Sequence, residues 1–282
     1  MAVRIVTDSS CDLTAAEADE LGIAVVPLSI RFGDEELTDR VELSVDDFYR
    51  RLDTSATLPE TAAPAPGAFE RAFRRAADEG ADAVVCINLS SGLSATLQSA
   101  QNAARALEGT IDVRVVDSHS ITLGLGSQVL LAAEAASAGQ SADEIEALAE
   151  SMAARTHVLG ALDTLENLKK GGRIGGAQAL LGNLLSIKPL VDISSGKVEE
   201  AGKARTRKKA LHWLAERVLE RPAVEQLCVC HGNAPQAEID DLLDLLEARY
   251  PRDGIRIGVI GAVIGTHGGP RIMGVTWQEP AA

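Results

Sequence analysis

The sequence predicts a two-domain α/β protein. Residues 1–155 read as a mostly parallel sheet with helices on both faces, and residues 156–282 as a mixed α/β sheet domain. Three observations predict this. The 282-residue chain is long for one core and suits two. Short β-rich runs alternate with helical stretches through the first half, the pattern of a parallel sheet. Past residue 155 the texture changes, and a Ser194-Ser195-Gly196 turn joins two strand-like runs into a hairpin.

The elements follow in order. Residues 3–7 read as a strand and 14–21 as a helix, with Thr14 and Glu17 forming a capping box. Residues 23–30 read as a second strand. A helix over 44–52 has Ser44 as its cap and an acidic first turn. Helix 68–77 follows the stiff loop Ala63-Pro64-Ala65-Pro66. Strand 83–88 leads to a helix from about 94 to 107. Strand 113–117 leads to helix 123–138, and helix 141–154 opens on a Ser141/Glu144 capping box. In the second half, strands are predicted at 187–193, 197–201, 224–230 and 255–264, with a helix at 237–250. Strand 273–277 is expected to close the sheet.

Composition excludes several functions. A net charge of −14 argues against nucleic-acid binding, which needs a basic face. No apolar run reaches the length of a membrane span, and the N-terminus enters a strand without a leader-like segment. The four cysteines form no framework, so free thiols and a cytoplasmic location are expected. Aromatic residues are only 3%, so any pocket is walled by Ala, Val, Leu and Ile. Such walls suit a flexible aliphatic ligand better than a stacked ring.

Four polar segments fall at strand ends, where open α/β sheets bind ligands: 7–10, 61–64, 89–96 and 265–270. In the third, Ser94 and Thr96 at a helix start can hold a carboxylate or phosphate, or Ser94 can simply cap the helix. His267, among glycines in a predicted loop, is either an anion-binding donor or a surface turn residue. Cys228, Cys230 and His231 lack zinc spacing, because a strand turns the thiols and the imidazole to opposite faces. The segment 169–176 is basic and glycine-rich without being a Walker A loop. From Lys169 to Lys209 there are ten Lys or Arg and three Asp or Glu, either a solvated face or a docking surface for an acidic partner.

In their shared order these segments resemble the DegV family, the fatty-acid-binding B-type subunits of bacterial fatty-acid kinase. The likeness runs over the whole chain. It rests on Val6-Thr7-Asp8-Ser9-Ser10, Asp12-Leu13, Val26-Pro27-Leu28, residues 90–99, Val116-Asp117-Ser118, residues 165–174, Ile187-Lys188-Pro189 and Gly265-Thr266-His267. The resemblance implies one long-chain, palmitate- or oleate-like fatty acid buried between the domains, with no cofactor. It implies Thr61 and Ser94 as carboxylate ligands, supported by Ala95 and Thr96, with His267 nearby. Arg173 and Arg205 are implied at the pocket rim or on a face that docks the kinase's ATP-binding subunit. That partner would phosphorylate the presented carboxylate to an acyl phosphate, so the chain itself is expected to be no enzyme. The family usually has Thr-Ser-Gln-Pro where this chain has Thr61-Ala62-Ala63-Pro64, and Ser-Gly-Thr where it has Ser94-Ala95-Thr96. The alternative is a lipid hydrolase using Ser94 with His267, or a related phosphotransferase. The chain lacks a nucleophile elbow and an evident group to orient His267.

Overall fold

The computed structural model describes residues 2–55, 57–183 and 187–281; the side chains of 180–183 are not among them. The first half builds a parallel sheet from β1 (Val3–Asp8), β2 (Ala24–Val26), β6 (Ala83–Asn88) and β7 (Asp112–Asp117), in the order β2-β1-β6-β7. Helices α1 (Ala15–Glu20), α3 (Pro66–Asp78), α4 (Thr96–Ala106), α5 (Thr122–Ser137) and α6 (Ala142–Arg155) surround it. Strand β6 is buried along its whole length, as a strand covered on both faces must be. Alternation sends Val85 and Ile87 into one core with Val129, Ile145 and Met152. Val84 and Cys86 enter the other, with Phe69, Phe73 and Leu107. Both predicted capping boxes are present, at Thr14/Glu17 and Ser141/Glu144.

A small antiparallel sheet, β3 (Ser29–Phe32), β4 (Glu35–Thr38) and β5 (Glu60–Ala62), carries helix α2 (Val45–Thr54) between its last two strands. It corrects the single strand expected over 23–30. Pro27 has no N–H to continue a ladder, and the next N–H, from Leu28, donates instead to Ser9 Oγ at 3.1 Å. The chain therefore leaves one sheet at Val26 and enters another at Ser29.

The second half forms a six-stranded sheet in the order β10-β9-β8-β13-β11-β12. Its strands are β8 (Thr156–Ala161), β9 (Lys188–Asp192), β10 (Glu199–Ala204), β11 (Glu225–His231), β12 (Arg256–Val259) and β13 (Met273–Gln278). Only β11 and β12 pair in parallel, so the sheet is mixed, as expected. Among the described residues no strand pairs across Arg155. Helices α7 (Glu166–Lys170), α8 (Arg207–Leu219), α9 (Gln236–Leu246) and α10 (Ala262–Gly268) complete this half. Strand β8 and helix α8 were not among the predicted elements.

Two expectations are corrected here. The strand expected over 255–264 stops at Val259, and α10 begins at Ala262. The run Ala262, Val263, Ile264 is buried on every side, so it has no periodicity to separate helix from strand. Strand β13 does not close the sheet at an edge; it lies inside, between β8 and β11. One face of this sheet packs on α8 and α9 through Leu214, Leu242 and Trp277. The other face meets the small sheet, α2, α10 and the start of α5 in a core containing Ile30, Phe48, Ile121, Val158 and Val191.

Candidate functional site

A cavity lies in that last core, between the two halves of the chain. Its empty volume, open mouth included, is about 630 Å³. Among the described residues its apolar lining is aliphatic, Leu28, Ile121, Leu162, Val191, Ile193 and Ile272 among it. Four polar side chains among the described residues reach the lining: Thr61, Ser94, Arg173 and His267.

Each arrives on a different element. Thr61 stands on β5 opposite Ile30 of β3. Its Oγ1 is 2.9 Å from His267 Nε2. His267 lies in the last turn of α10 and not in the loop expected for it. Burial, reinforced by the Arg173 charge, pushes its imidazole down to about 4. It is therefore neutral at pH 7. With the proton on Nε2 it donates to Thr61 Oγ1, which frees the Thr61 hydroxyl hydrogen for a ligand. Nδ1 is buried and without a partner.

That imidazole fits because residue 171 is glycine. A Cβ there would stand 2.3 Å from His267 Nδ1. Residues 167–173 tie α7 to α10. Asn167 Nδ2 donates to Thr266 O at 3.0 Å, and Arg173 N to Leu168 O at 3.0 Å. Arg173 is thereby folded back toward the cavity, where Nη1 donates to Gly171 O at 2.6 Å and Nε to Leu93 O at 3.2 Å. That last bond brings the guanidinium beside Ser94.

Ser94 is not the helix cap. Helix α4 starts at Thr96 with Ala95 in the capping position and no side-chain cap bond, which corrects the helix start expected at 94. Ser94 Oγ accepts from Thr96 N at 3.3 Å and shares a 2.9 Å bond with Thr96 Oγ1. Thr96 is buried behind Ser94, and Ala95 is exposed; neither reaches the cavity. Arg205 is exposed past β10, also outside the lining. Ser94 and His267 bond to Thr96 and Thr61 respectively and not to each other, so this geometry does not supply an activated serine.

The first polar segment is used internally. Asp8 accepts from Ser10 N at 3.1 Å, Leu89 N at 2.9 Å and Asn88 Nδ2 at 3.1 Å. It fixes the loop that presents Ser94. From the second half, the hairpin docks on this loop, with Ser90 Oγ donating to Gly196 O at 2.6 Å. Gly196 has φ +79, a conformation that favours glycine. Cys228 and Cys230 are buried free thiols, and no group able to hold a metal ion occurs among the described residues. In the basic stretch, Lys188 and Arg207 are tied to Asp163. Lys169, Lys170, Arg205, Lys208 and Lys209 are exposed.

The family model described as "Uncharacterised protein, DegV family" matches residues 2–279. The chain belongs to the DegV family. A DegV domain-containing protein of Streptomyces coelicolor is 40% identical, with 97% of each chain covered. Another DegV relative, from Deinococcus radiodurans, is 38% identical over the whole of both chains. Among solved DegV structures, a Thermus thermophilus protein described as fatty acid binding superposes with a TM-score of 0.90 at 34% identity, covering 99% of this chain and all of that one. A Bacillus subtilis DegV, described as a fatty acid binding protein, gives 0.86 at 31% identity, covering 99% of this chain and 100% of that one.

Proposed function

We propose that this DegV protein binds one long-chain fatty acid in the cavity, palmitate- or oleate-like, and presents its carboxylate to a partner fatty-acid kinase. The reading places two domains at residues 1–155 and 156–282, with the acid between them. It is carried by one observation: an aliphatic cavity into which Thr61, Ser94, Arg173 and His267 bring polar groups. Burying about fourteen methylenes contributes roughly 11 kcal/mol gross, at ~0.8 kcal/mol each. Lost ligand freedom takes back several kcal/mol. The two hydroxyls and the guanidinium give the carboxylate partners, which a buried charge requires. A neutral His267 adds a dipole without a second full charge. The fatty acid binding described for the Thermus thermophilus and Bacillus subtilis proteins supports the same ligand class. The exposed cations of residues 169–209 support a docking face for the kinase's ATP-binding subunit, which would transfer phosphate to the carboxylate.

Native mass spectrometry of the protein purified from cells, before and after organic extraction, tests the reading. A one-to-one complex with a C14–C18 acid is expected. An apo mass with no uptake of added palmitate or oleate overturns it.

A further inference from the structure

The turn after β1 holds a second aspartate outside the cavity lining, and it reaches across to the other half of the chain. Asp12 has φ +55 and is 5% exposed. Its Oδ1 accepts from Gly261 N at 3.0 Å and from Arg40 Nη2 at 2.9 Å. Arg40 Nη1 donates in turn to Leu13 O at 2.8 Å, so the guanidinium is held against the same turn.

Gly261 is the residue on which α10 starts. Helix starts leave backbone N–H groups without intrahelical partners, usually met by a capping side chain. Here Gly261 has no side chain to offer, and no side-chain cap bond forms at this end. The acceptor comes instead from Asp12, 249 residues away. Only glycine permits this approach, since a Cβ at 261 would stand 2.6 Å from Asp12 Oδ1 and 2.9 Å from Arg40 Nη2. Helix α10 is short and continuous from Ala262 to Gly268, and it carries Val263, Ile264, His267 and Gly268 of the cavity lining. With about 1.5 Å of rise per residue, His267 lies roughly 9 Å along the rod from the clamped end. A shift at Gly261 is thus passed to the imidazole, which has a 2.9 Å bond to Thr61 to lose.

We propose that Asp12 is a positioning residue for the ligand site: by holding Gly261, with Arg40 holding Asp12, it sets where α10 stands and so where His267 meets Thr61. The inference rests on the fatty-acid reading for its ligand arm alone. It gives the Asp12-Leu13 part of the N-terminal motif a role that contact with the ligand does not.

Four variants of the full chain test it: Asp12→Ala, Asp12→Asn, Gly261→Ala and, as a control, Leu246→Ala. Leu246 is fully buried in the core under α9, away from the cavity. Two quantities are read: the His267 Cε1–H NMR signal of the empty protein, assigned with His267→Gln, and the dissociation constant for palmitate. Asp12→Ala and Gly261→Ala both displace the His267 signal and weaken palmitate by about tenfold, the loss of one charge-assisted bond. Asp12→Asn keeps a carbonyl acceptor for Gly261 N–H and falls between them and the wild type. Leu246→Ala lowers the melting temperature and moves neither quantity. An unmoved signal and unchanged affinity in Gly261→Ala and in whichever Asp12 variants fold overturn the proposal, as does an equal displacement in Leu246→Ala. If the wild type takes up no palmitate, the fatty-acid reading fails, while the His267 signal still decides whether Asp12 positions α10.

Discussion

Replacing Thr61 by valine removes one hydroxyl and almost nothing else. Valine has the same shape and suits a strand, so β5 should keep its pairing with β3. The hydroxyl stands 2.9 Å from His267 Nε2, in the lining of the cavity. On the proposed reading it donates to the carboxylate of the bound acid. A hydrogen bond to a charged group is worth about 1.5–3 kcal/mol, and at about 2 kcal/mol the palmitate dissociation constant rises roughly 30-fold. Calorimetric titration with palmitate and with its methyl ester separates this term from chain burial. The acid should lose the full factor in Thr61→Val, and the uncharged ester much less. Comparing palmitate with myristate gives an internal check. Two methylenes are worth about 1.6 kcal/mol, roughly 15-fold, and that ratio should be the same in both proteins, because the acyl chain does not touch the hydroxyl. Equal palmitate affinity in wild type and variant would refute the carboxylate assignment. An altered chain-length ratio would show that the substitution had reshaped the cavity.

Other predictions follow from the same geometry. His267 titrates near 4 in the empty protein, and a bound carboxylate raises that value; proton NMR across pH 3–8 reads both. Since its folded value lies below the unfolded 6.5, this histidine's contribution to stability is intact above 6.5 and is lost as pH falls toward 4, by about 3 kcal/mol in full. Asp12, pushed up to about 6 by burial against the pull of Arg40, works in the opposite direction over about 6 to 3.8. His267→Gln should therefore lose less stability than the wild type between pH 6.5 and 4, by urea unfolding. Gly171→Ala places a methyl 2.3 Å from His267 Nδ1 and should weaken palmitate by about tenfold without backbone strain, since residue 171 has φ −73. If the proposed kinase docks on the basic face, charge reversal of Arg205, Lys208 and Lys209 to Glu should cut acyl-phosphate formation with it about tenfold at low salt and leave palmitate affinity unchanged.

The sequence by itself determined the elements with local physical causes. Thr14/Glu17 and Ser141/Glu144 announced two helix starts because a capping box is closed within four residues. The apolar run of β6, the hairpin at Gly196 and the change from parallel to mixed sheet were legible for the same reason. Low aromatic content already described the cavity wall. Tertiary structure alone decided what depends on distant partners. Residues 23–30 split between two sheets because Ser9 takes the Leu28 N–H. The buried run after Val259 became α10, where burial on all sides had erased the period. Thr61 was assigned through family likeness, and its bond to His267 joins residues 206 positions apart. Asp12 and Asn167 gave no local sign of their roles, because each acts on α10 through one hydrogen bond that closes only when the halves of the chain meet. Local hydrogen bonds and side-chain period are written in neighbouring residues. A cavity and the groups aimed into it exist only where separated segments pack, and that packing is a property of the folded chain as a whole.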